Sequence, residues 1–236
     1  MARWMSSAHR KRSFAALFLL IMLFFMQNVA AKAQVIYRYA SGGDRPRIAL
    51  TFDDGPHPRY TPTILNILSQ NGVKATFFVV GENAEYHPEL IERIAREGHE
   101  LGNHTFDHCR VAKMDDEALK ADILRCNETI AAITGTSPRL FRPPEGVCND
   151  AVKAICTEAD MTIVMWSVDT RDWAHTPIDE ICQNVRQNTK NGSIILMHDF
   201  IGKNSPTPSA LRRLLPMLRG LGYEFVTVSQ LLSGAP

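Results

Sequence analysis

The stretch Arg47-Ile48-Ala49-Leu50-Thr51-Phe52-Asp53-Asp54-Gly55-Pro56 decides how the rest of the chain is interpreted. Its apolar first half is typical of a buried strand, and Gly55-Pro56 ends that strand. Two adjacent carboxylates therefore stand where a strand passes into a loop, a place from which both can face one cleft. Because two close carboxylates repel each other, the pair predicts a metal ion or a cationic side chain nearby. The alternative is a plain turn, since aspartate accepts turn geometry readily.

The composition limits the class of protein. The chain has 236 residues, a formal net charge of +1 and 45% hydrophobic residues. This length supports one full hydrophobic core rather than two comfortable domains. The near-neutral charge argues against a nucleic-acid partner, because nucleic-acid binders usually carry a strongly basic face.

The first 33 residues have the layout of a secretory signal peptide. A basic start at Arg10-Lys11-Arg12 precedes an apolar stretch over residues 14–26, and Ala31-Lys32-Ala33 is a small-x-small cleavage site. The apolar stretch is shorter than the ~20 residues that a spanning helix needs. We therefore expect cleavage near Ala33, a mature domain over residues 34–236, no stable membrane span, and a secreted or periplasmic protein. An uncleaved N-terminal anchor is the alternative.

Strand and helix patterns alternate along the mature chain. After the first strand, further strands are predicted at residues 75–80, 100–103, 140–142, 162–166, 193–197 and 224–228. Helices are predicted at residues 61–70, 88–97, 115–134, 149–159, 177–189 and 209–221. This alternation predicts an α/β fold with parallel strands and helices on the outside. About seven such units favour a single-domain (β/α) barrel over an open doubly wound sheet.

Candidate functional residues follow the predicted strands. They are Asp53, Asp54, His104, Arg142, Asp169 and His198. Both a barrel and an open sheet place active sites beyond the carboxyl ends of their strands. Polar residues scattered over a surface would not all follow strands, so we expect these side chains to share one site.

His104 and His108 are the strongest candidates for metal binding. Their spacing of four residues lets both imidazoles reach one ion. One aspartate and two histidines form the pattern of a catalytic zinc site that leaves a position open for water. The residues alone do not decide whether Asp53 or Asp54 is the third ligand. Zn²⁺ is favoured as the divalent metal, with Co²⁺, Ni²⁺ or Mn²⁺ as alternatives.

The other candidates have separate expected tasks. Arg142 stands on a rigid proline bend and is expected to hold a carboxylate through paired hydrogen bonds. His198 ends a buried strand and is a candidate general acid, because Asp169 can raise its affinity for a proton. Trp173 and Leu196 are expected to wall a small apolar pocket, with plain core packing as the alternative.

The cysteines leave their pairing open. The mature part holds five, and an odd count leaves at least one unpaired. They are Cys109, Cys126, Cys148, Cys156 and Cys182. None forms a Cys-x-x-Cys arrangement, which argues against a structural thiolate zinc site.

Five blocks of the chain together resemble, in order, the motifs of the polysaccharide deacetylases of carbohydrate esterase family four, also called the nodulation-protein-B (NodB) homology domain. The blocks are residues 51–56, 104–108, 142–146, 169–173 and 194–198. The resemblance implies a distorted (β/α) barrel with fewer than eight complete units. It also implies a metal-dependent hydrolase that removes N-acetyl groups from amino-sugar polysaccharides or oligosaccharides, chitin-like or peptidoglycan, and releases acetate.

The same resemblance implies a role for each candidate. Asp53 resembles the general base, and Arg142 the residue that orients it. His198 resembles the general acid, with Asp169 as its charge partner. The implied metal ligands are Asp54, His104 and His108.

One position departs from the family pattern. Glu145 stands where the family often has an aromatic residue. The backbone N–H at this position is what helps to bind the oxyanion, so the chemistry is expected to survive, whereas the substrate preference near this loop is in doubt. Two alternative functions stay open: an O-acetyl esterase on xylan-like polysaccharide, and a catalytically silent glycan-binding domain.

Overall fold

The strands lie side by side in one curled sheet in a computed structural model, which describes residues 33–40, 42 and 45–234. The strands are β1 (Val35–Ile36), β2 (Arg47–Asp53), β3 (Thr76–Val79), β4 (Glu100–Asn103), β5 (Leu140–Phe141), β6 (Thr162–Val164), β7 (Val168–Asp169), β8 (Ile194–His198) and β9 (Glu224–Phe225). The helices are α1 (Tyr60–Gln70), α2 (Gly81–Tyr86), α3 (Pro88–Arg96), α4 (Asp116–Thr134), α5 (Asp150–Glu158), α6 (Ile178–Asn188), α7 (Thr207–Gly220) and α8 (Val228–Ser233). Three short 3-10 helices cover Val111–Lys113, Pro144–Gly146 and Asp172–Ala174.

The order of the strands is β1-β6-β5-β4-β3-β2-β8-β7, with β9 beside the start of β2. Each described pair of strands is parallel. Strands β1 and β7 lie at the two ends of this order, and an antiparallel bridge between Arg38 and Ser193 joins the segment after β1 to the start of β8. The sheet is therefore a distorted barrel of α/β class, as predicted, and not an open doubly wound sheet.

Strand β2 lies at the centre of the fold. Its residues from Ile48 to Asp53 are buried, which is typical of a parallel strand that is covered on both faces. Phe52 stacks on Phe77 of β3 with 5.0 Å between the ring centroids. Parallel pairing brings the carboxyl ends of β2, β3, β4 and β8 to the same edge, where the register sets Asp53 opposite His198.

The long helices begin and end close to the predicted residues because their caps can be read in the sequence. The Asp115 side chain accepts a hydrogen bond from the backbone N–H of Ala118, and Gly135 ends α4 with a φ of 76°. Asn149 caps α5 in the same way. These capping residues confirm the predicted positions of the two helices.

Several short elements differ from the prediction. The predicted strand at 162–166 ends at Val164, and the one at 224–228 ends at Phe225 because Thr227 opens helix α8 with a capping box. Strands β1 and β7 and helices α2 and α8 were not predicted. Elements of two to six residues are too short to display a period of hydrophobic residues.

The described residues, which begin at Ala33, form one compact unit. The predicted signal peptide, residues 1–33, lies outside the described residues except for Ala33, so it stays a prediction. Among the described helices, none combines the length and the apolar composition that crossing a bilayer requires. All five cysteines are free thiols in the structure.

Candidate active site

The candidate residues, except for the buried Arg142, line an open cavity of about 480 Å³ above the carboxyl ends of the central strands. Asp53 ends β2 and lies in register with His198 at the end of β8. His104 directly follows β4, and Arg142 directly follows β5. The structure therefore brings these side chains to one edge of the sheet.

The two aspartates reach the same cavity because the backbone leaves the strand conformation between them. Asp53 still pairs within the sheet, whereas Asp54 has a φ of 73°, in the left-handed region. In a regular strand, neighbouring side chains point to opposite faces. The left-handed residue breaks that alternation, and both carboxylates line the cavity.

Asp54, His104 and His108 form a compact group of ligand atoms. Asp54 Oδ1 lies 3.3 Å from His104 Nε2 and 3.2 Å from His108 Nε2. One ligand atom from each of the three lies within 4.8 Å of the others. Asp53 Oδ2 is farther from His104 Nε2, at 3.9 Å. The geometry therefore favours Asp54 over Asp53 as the third ligand, a choice that the residues alone left open.

His104 is held in the tautomer that a metal ligand needs. Its Nδ1 lies 2.7 Å from the carbonyl oxygen of Arg142. A carbonyl oxygen can only accept a hydrogen bond, so Nδ1 carries the proton and Nε2 keeps its lone pair. That lone pair is on the nitrogen that faces Asp54, and such a carbonyl partner is the usual support of a metal-binding histidine.

The electrostatics of Asp54 fit a cation at this group. Burial alone would raise the pKa of Asp54, but the imidazoles of His104 and His108 hold it well below its usual range. The neighbouring Asp54 carboxylate in turn raises the pKa of His108. Asp54 Oδ1 is buried, and among the described residues it has no hydrogen-bond donor with good geometry. A buried carboxylate oxygen without a donor is costly, and a divalent cation between it and the two imidazoles removes that cost.

A second group of possible ligands is less suited to a cation. Asp107, Cys109 and Asp122 also bring ligand atoms within 4.8 Å of one another. However, Asp122 Oδ1 already accepts a hydrogen bond of 2.7 Å from the backbone N–H of Phe106 and a contact of 3.9 Å from the Cys109 thiol. Burial raises the pKa of Cys109 to about 11, which disfavours the thiolate that binds metal.

Arg142 fixes the position of Asp53. The guanidinium is fully buried, and its Nη1 donates to Asp53 Oδ1 at 2.6 Å and to Thr51 Oγ1 at 2.8 Å. Its Nε and Nη2 donate to the carbonyl oxygens of Val164 and Met165, each at 3.0 Å. The expected pair of hydrogen bonds to one carboxylate is therefore wrong: a single bond reaches Asp53. The remaining donors attach the guanidinium to the sheet, which makes it a rigid anchor.

The predicted charge partner of His198 is wrong. His198 Nδ1 lies 2.8 Å from Asp172 Oδ1, and the backbone N–H of His198 donates to Asp172 Oδ2 at 2.8 Å. Asp172 is fully buried and also accepts from Thr207 Oγ1 at 2.6 Å. Burial lowers the pKa of His198, but Asp172, with smaller contributions from Asp53 and Asp54, raises it to about 9.

Asp169 lies on the cavity wall and holds a neighbouring loop instead. Its Oδ1 accepts a hydrogen bond of 2.8 Å from the backbone N–H of Arg171, and the indole N–H of Trp173 lies 3.4 Å from the same oxygen. Arg171 has a φ of 58°, which turns the chain so that Asp172, rather than Asp169, reaches His198. The structure therefore assigns Asp169 to positioning Trp173.

The predicted lining of the cavity agrees with the structure. Trp173, Leu196 and Glu145 all line it, and Glu145 has a φ of 56°. Trp173 is 49% exposed, so it is a wall of the cavity rather than part of the core. The sequence did not single out Trp166, which lines the same cavity and lies close to Gly146: a Cβ on that glycine would be 2.8 Å from the indole.

Asp199 is a further buried carboxyl that the sequence did not single out. It is 1% exposed, its Oδ2 accepts a hydrogen bond of 2.5 Å from Thr61 Oγ1, and its backbone N–H donates to the carbonyl oxygen of Asp53. Burial raises its pKa to about 7, although the Thr61 hydrogen bond opposes this rise. The carboxyl group packs directly against Gly55, so it supports the turn that follows Asp53 and Asp54.

This contact predicts a strong effect of Gly55→Ala. The new Cβ would lie 2.1–2.3 Å from the Asp199 carboxyl, too close for any real contact. Overpacking of this kind costs about 1–3 kcal/mol of the free energy of unfolding. Urea denaturation measures this loss, with Gly220→Ala as the control, because the space around that glycine is open. An unchanged midpoint for Gly55→Ala would contradict the tight packing described for this turn.

Comparisons with known proteins agree with the fold and the site. A family profile described as polysaccharide deacetylase matches residues 40–164. A peptidoglycan-N-acetylglucosamine deacetylase from Bacillus cereus is 44% identical over 187 residues, which cover 78% of this chain and 87% of the relative. A chitooligosaccharide deacetylase from Sinorhizobium fredii is 38% identical over 201 residues, which cover 80% and 94%.

A solved structure shows the same architecture. It is a crystal structure of a peptidoglycan N-acetylglucosamine deacetylase in complex with 4-naphthalen-1-yl-N-oxidanyl-benzamide. It is 38% identical to this chain, with a TM-score of 0.79, and the match covers 85% of this chain and 92% of that one. The chain therefore belongs to the polysaccharide deacetylase family, which confirms the resemblance carried by its five motifs.

Proposed function

We propose that the protein is a metal-dependent hydrolase that removes N-acetyl groups from an amino-sugar glycan and releases acetate. One observation carries the proposal: Asp54, His104 and His108 converge on one point beside Asp53, a second carboxylate that a buried arginine holds in place. A metal site and a fixed base next to each other are what amide hydrolysis by water requires.

The side chains divide the proton transfers between them. Asp53 takes the proton from the attacking water, and its hydrogen bond to Arg142 fixes the direction in which it does so. His198 Nδ1 is occupied by Asp172, so Nε2 is the nitrogen that gives a proton to the departing amine. The backbone N–H of Glu145 is the proposed donor to the oxyanion.

Asp54, His104 and His108 would hold the divalent metal, with Zn²⁺ favoured and Co²⁺, Ni²⁺ or Mn²⁺ as alternatives. When bound, such an ion supplies a Lewis acid for the acetyl carbonyl and lowers the pKa of a water molecule. The ligand set of one carboxylate and two imidazoles fits these first-row metals better than Mg²⁺ or Ca²⁺, which prefer oxygen ligands throughout.

The proposed substrates are chitin-like oligosaccharides and the glycan of peptidoglycan. This proposal is supported by the names of the two relatives above, which describe deacetylases of peptidoglycan and of chitooligosaccharides. A secreted or periplasmic location would give access to such glycans, and the layout of residues 1–33 supports it. An O-acetyl esterase acting on xylan-like polysaccharide is the second candidate, since the same groups can cleave an ester.

Acetate release is the test of this function. We expect the purified protein to release acetate from N-acetylglucosamine oligomers faster than from acetyl-xylan. Removal of metal by a chelator should abolish release, because the water and the carbonyl then lose their activation, and added Zn²⁺ should restore it. Faster release from acetyl-xylan would favour the esterase. Full activity after exhaustive chelation would exclude the metal-dependent mechanism, and no release from either substrate would favour a silent glycan-binding domain.

A further inference from the structure

Two exposed aromatic side chains follow neighbouring strands at the edge of the sheet that carries the candidate active site. Trp173 comes after β7 and Phe200 comes after β8, and they are 49% and 38% exposed. Trp173 belongs to the cavity already described. Phe200 does not line that cavity, so its exposure needs a separate explanation.

Phe200 is part of a stacked pair. Its ring lies over the imidazole of His57 with 4.7 Å between centroids and only 8° between the ring planes. His57 comes three residues after Asp54, and Phe200 comes two residues after His198. The stack, which we call the Phe200 platform, therefore joins the loop after Asp54, a proposed metal ligand, to the loop after His198, the proposed general acid.

Hydrogen bonds and ring packing around His57 hold the Phe200 platform in place. His57 Nδ1 accepts hydrogen bonds from the backbone N–H groups of Arg59 and Tyr60, at 3.2 and 3.4 Å. The backbone N–H of His57 donates to Thr61 Oγ1 at 2.8 Å, and Thr61 donates to the buried Asp199, next to Phe200 in the chain. Tyr60 packs against the imidazole with 5.1 Å between centroids. The imidazole is thus fixed before any ligand arrives.

The Phe200 platform also lies close to the catalytic groups. Consecutive Cα atoms are ~3.8 Å apart, so the Cα of Phe200 is at most about 7.6 Å from that of His198. A sugar ring attached directly to the ring whose amide is cleaved can span this distance. An exposed, preorganised aromatic ring offers a flat apolar surface, and the C–H groups on one face of a pyranose pack on such a surface.

We propose that the Phe200 platform is a subsite that stacks a neighbouring pyranose ring of the glycan. The inference rests on the proposed function for the identity of the ligand, a chain of amino sugars. It adds that this enzyme binds more than the sugar it deacetylates. Free N-acetylglucosamine has no neighbouring ring, so it cannot make this contact.

The test compares chain lengths in three variants. Acetate release is measured on free N-acetylglucosamine and on its oligomers up to the pentamer for wild type, Phe200→Ala, Phe200→Tyr and Tyr86→Ala. Tyr86 is the matched control, because it is a 70% exposed aromatic residue on α2 and does not line the cavity. Phe200→Ala is expected to lower kcat/KM on the pentamer about tenfold more than on free N-acetylglucosamine, through KM. Phe200→Tyr should recover most of the loss.

Three outcomes would overturn the subsite: an equal loss on free N-acetylglucosamine and pentamer, no recovery by tyrosine, or the same loss in Tyr86→Ala. Calorimetric titration with the pentamer gives a second readout that does not need turnover. There we expect about tenfold weaker binding by Phe200→Ala than by wild type. If wild type releases no acetate, the proposed function fails, but the binding comparison still decides whether the Phe200 platform binds sugar.

Discussion

Asp53→Asn is expected to lower kcat for acetate release by about 10²- to 10⁴-fold, which is the usual contribution of a general base. The amide keeps the size of the carboxylate and one oxygen that can accept from Arg142, but it cannot take a proton from water. Asp53 is 3% exposed and is not among the three converging ligand atoms. Binding of Zn²⁺, measured by titration of the metal-free protein, should therefore change little.

Substitutions of Asp53 are also expected to lower the free energy of unfolding. Arg142 is fully buried, and Asp53 is the carboxylate that forms a salt bridge with it among the described residues. Removing one partner of a buried ion pair costs about 3–5 kcal/mol, because a charge is left without compensation. We therefore expect Asp53→Ala to unfold at clearly lower urea concentration, and Asp53→Asn to lie between it and wild type. Near-normal acetate release by a folded Asp53→Asn protein would exclude the base assignment.

The sequence predicted those parts of the site that depend on short, local sequence patterns. Asp53 and Asp54 directly follow a strand, and His104 and His108 are four residues apart. Strand ends and short spacings survive folding unchanged, because parallel strands bring their carboxyl ends to one edge. The structure brings together the three residues that the motif resemblance named as ligands.

The parts that the sequence missed depend on contacts between distant segments or on a single backbone angle. Asp169 and Asp172 are two aspartates in one five-residue block, and the resemblance pointed to the first. The left-handed conformation of Arg171 decides which of them reaches His198. Residues other than glycine seldom adopt this conformation, and neither composition nor hydrophobic periodicity indicates it. The sequence likewise gave no signal for Asp199, whose burial depends on Thr61 and Gly55 meeting it in space.

The second large effect on activity is expected for substitution of Asp172, the charge partner of His198. Asp172→Asn is expected to lower kcat at neutral pH by about 10²-fold, because a proton donor poorly matched to the leaving amine loses much of its contribution. In wild type the pKa of His198 is raised to about 9, so the general acid is protonated at neutral pH and activity should fall as the pH rises through about 9. Without the Asp172 charge, that fall should begin at a lower pH.

Asp169→Asn is the matched control for this prediction, because it makes the same chemical change three residues away. Asp169 does not contact His198, so the alkaline fall should stay near pH 9 even if a displaced Trp173 alters KM.

Stability gives an independent readout. The pKa of His198 is above its ordinary value of about 6.5, so the stabilisation from its pair with Asp172 is fully present below that pH and is lost as the pH rises toward 9. Asp172→Asn should remove this pH dependence of the free energy of unfolding. A shifted activity profile in Asp169→Asn together with an unshifted one in Asp172→Asn would restore the assignment that the motif resemblance implied.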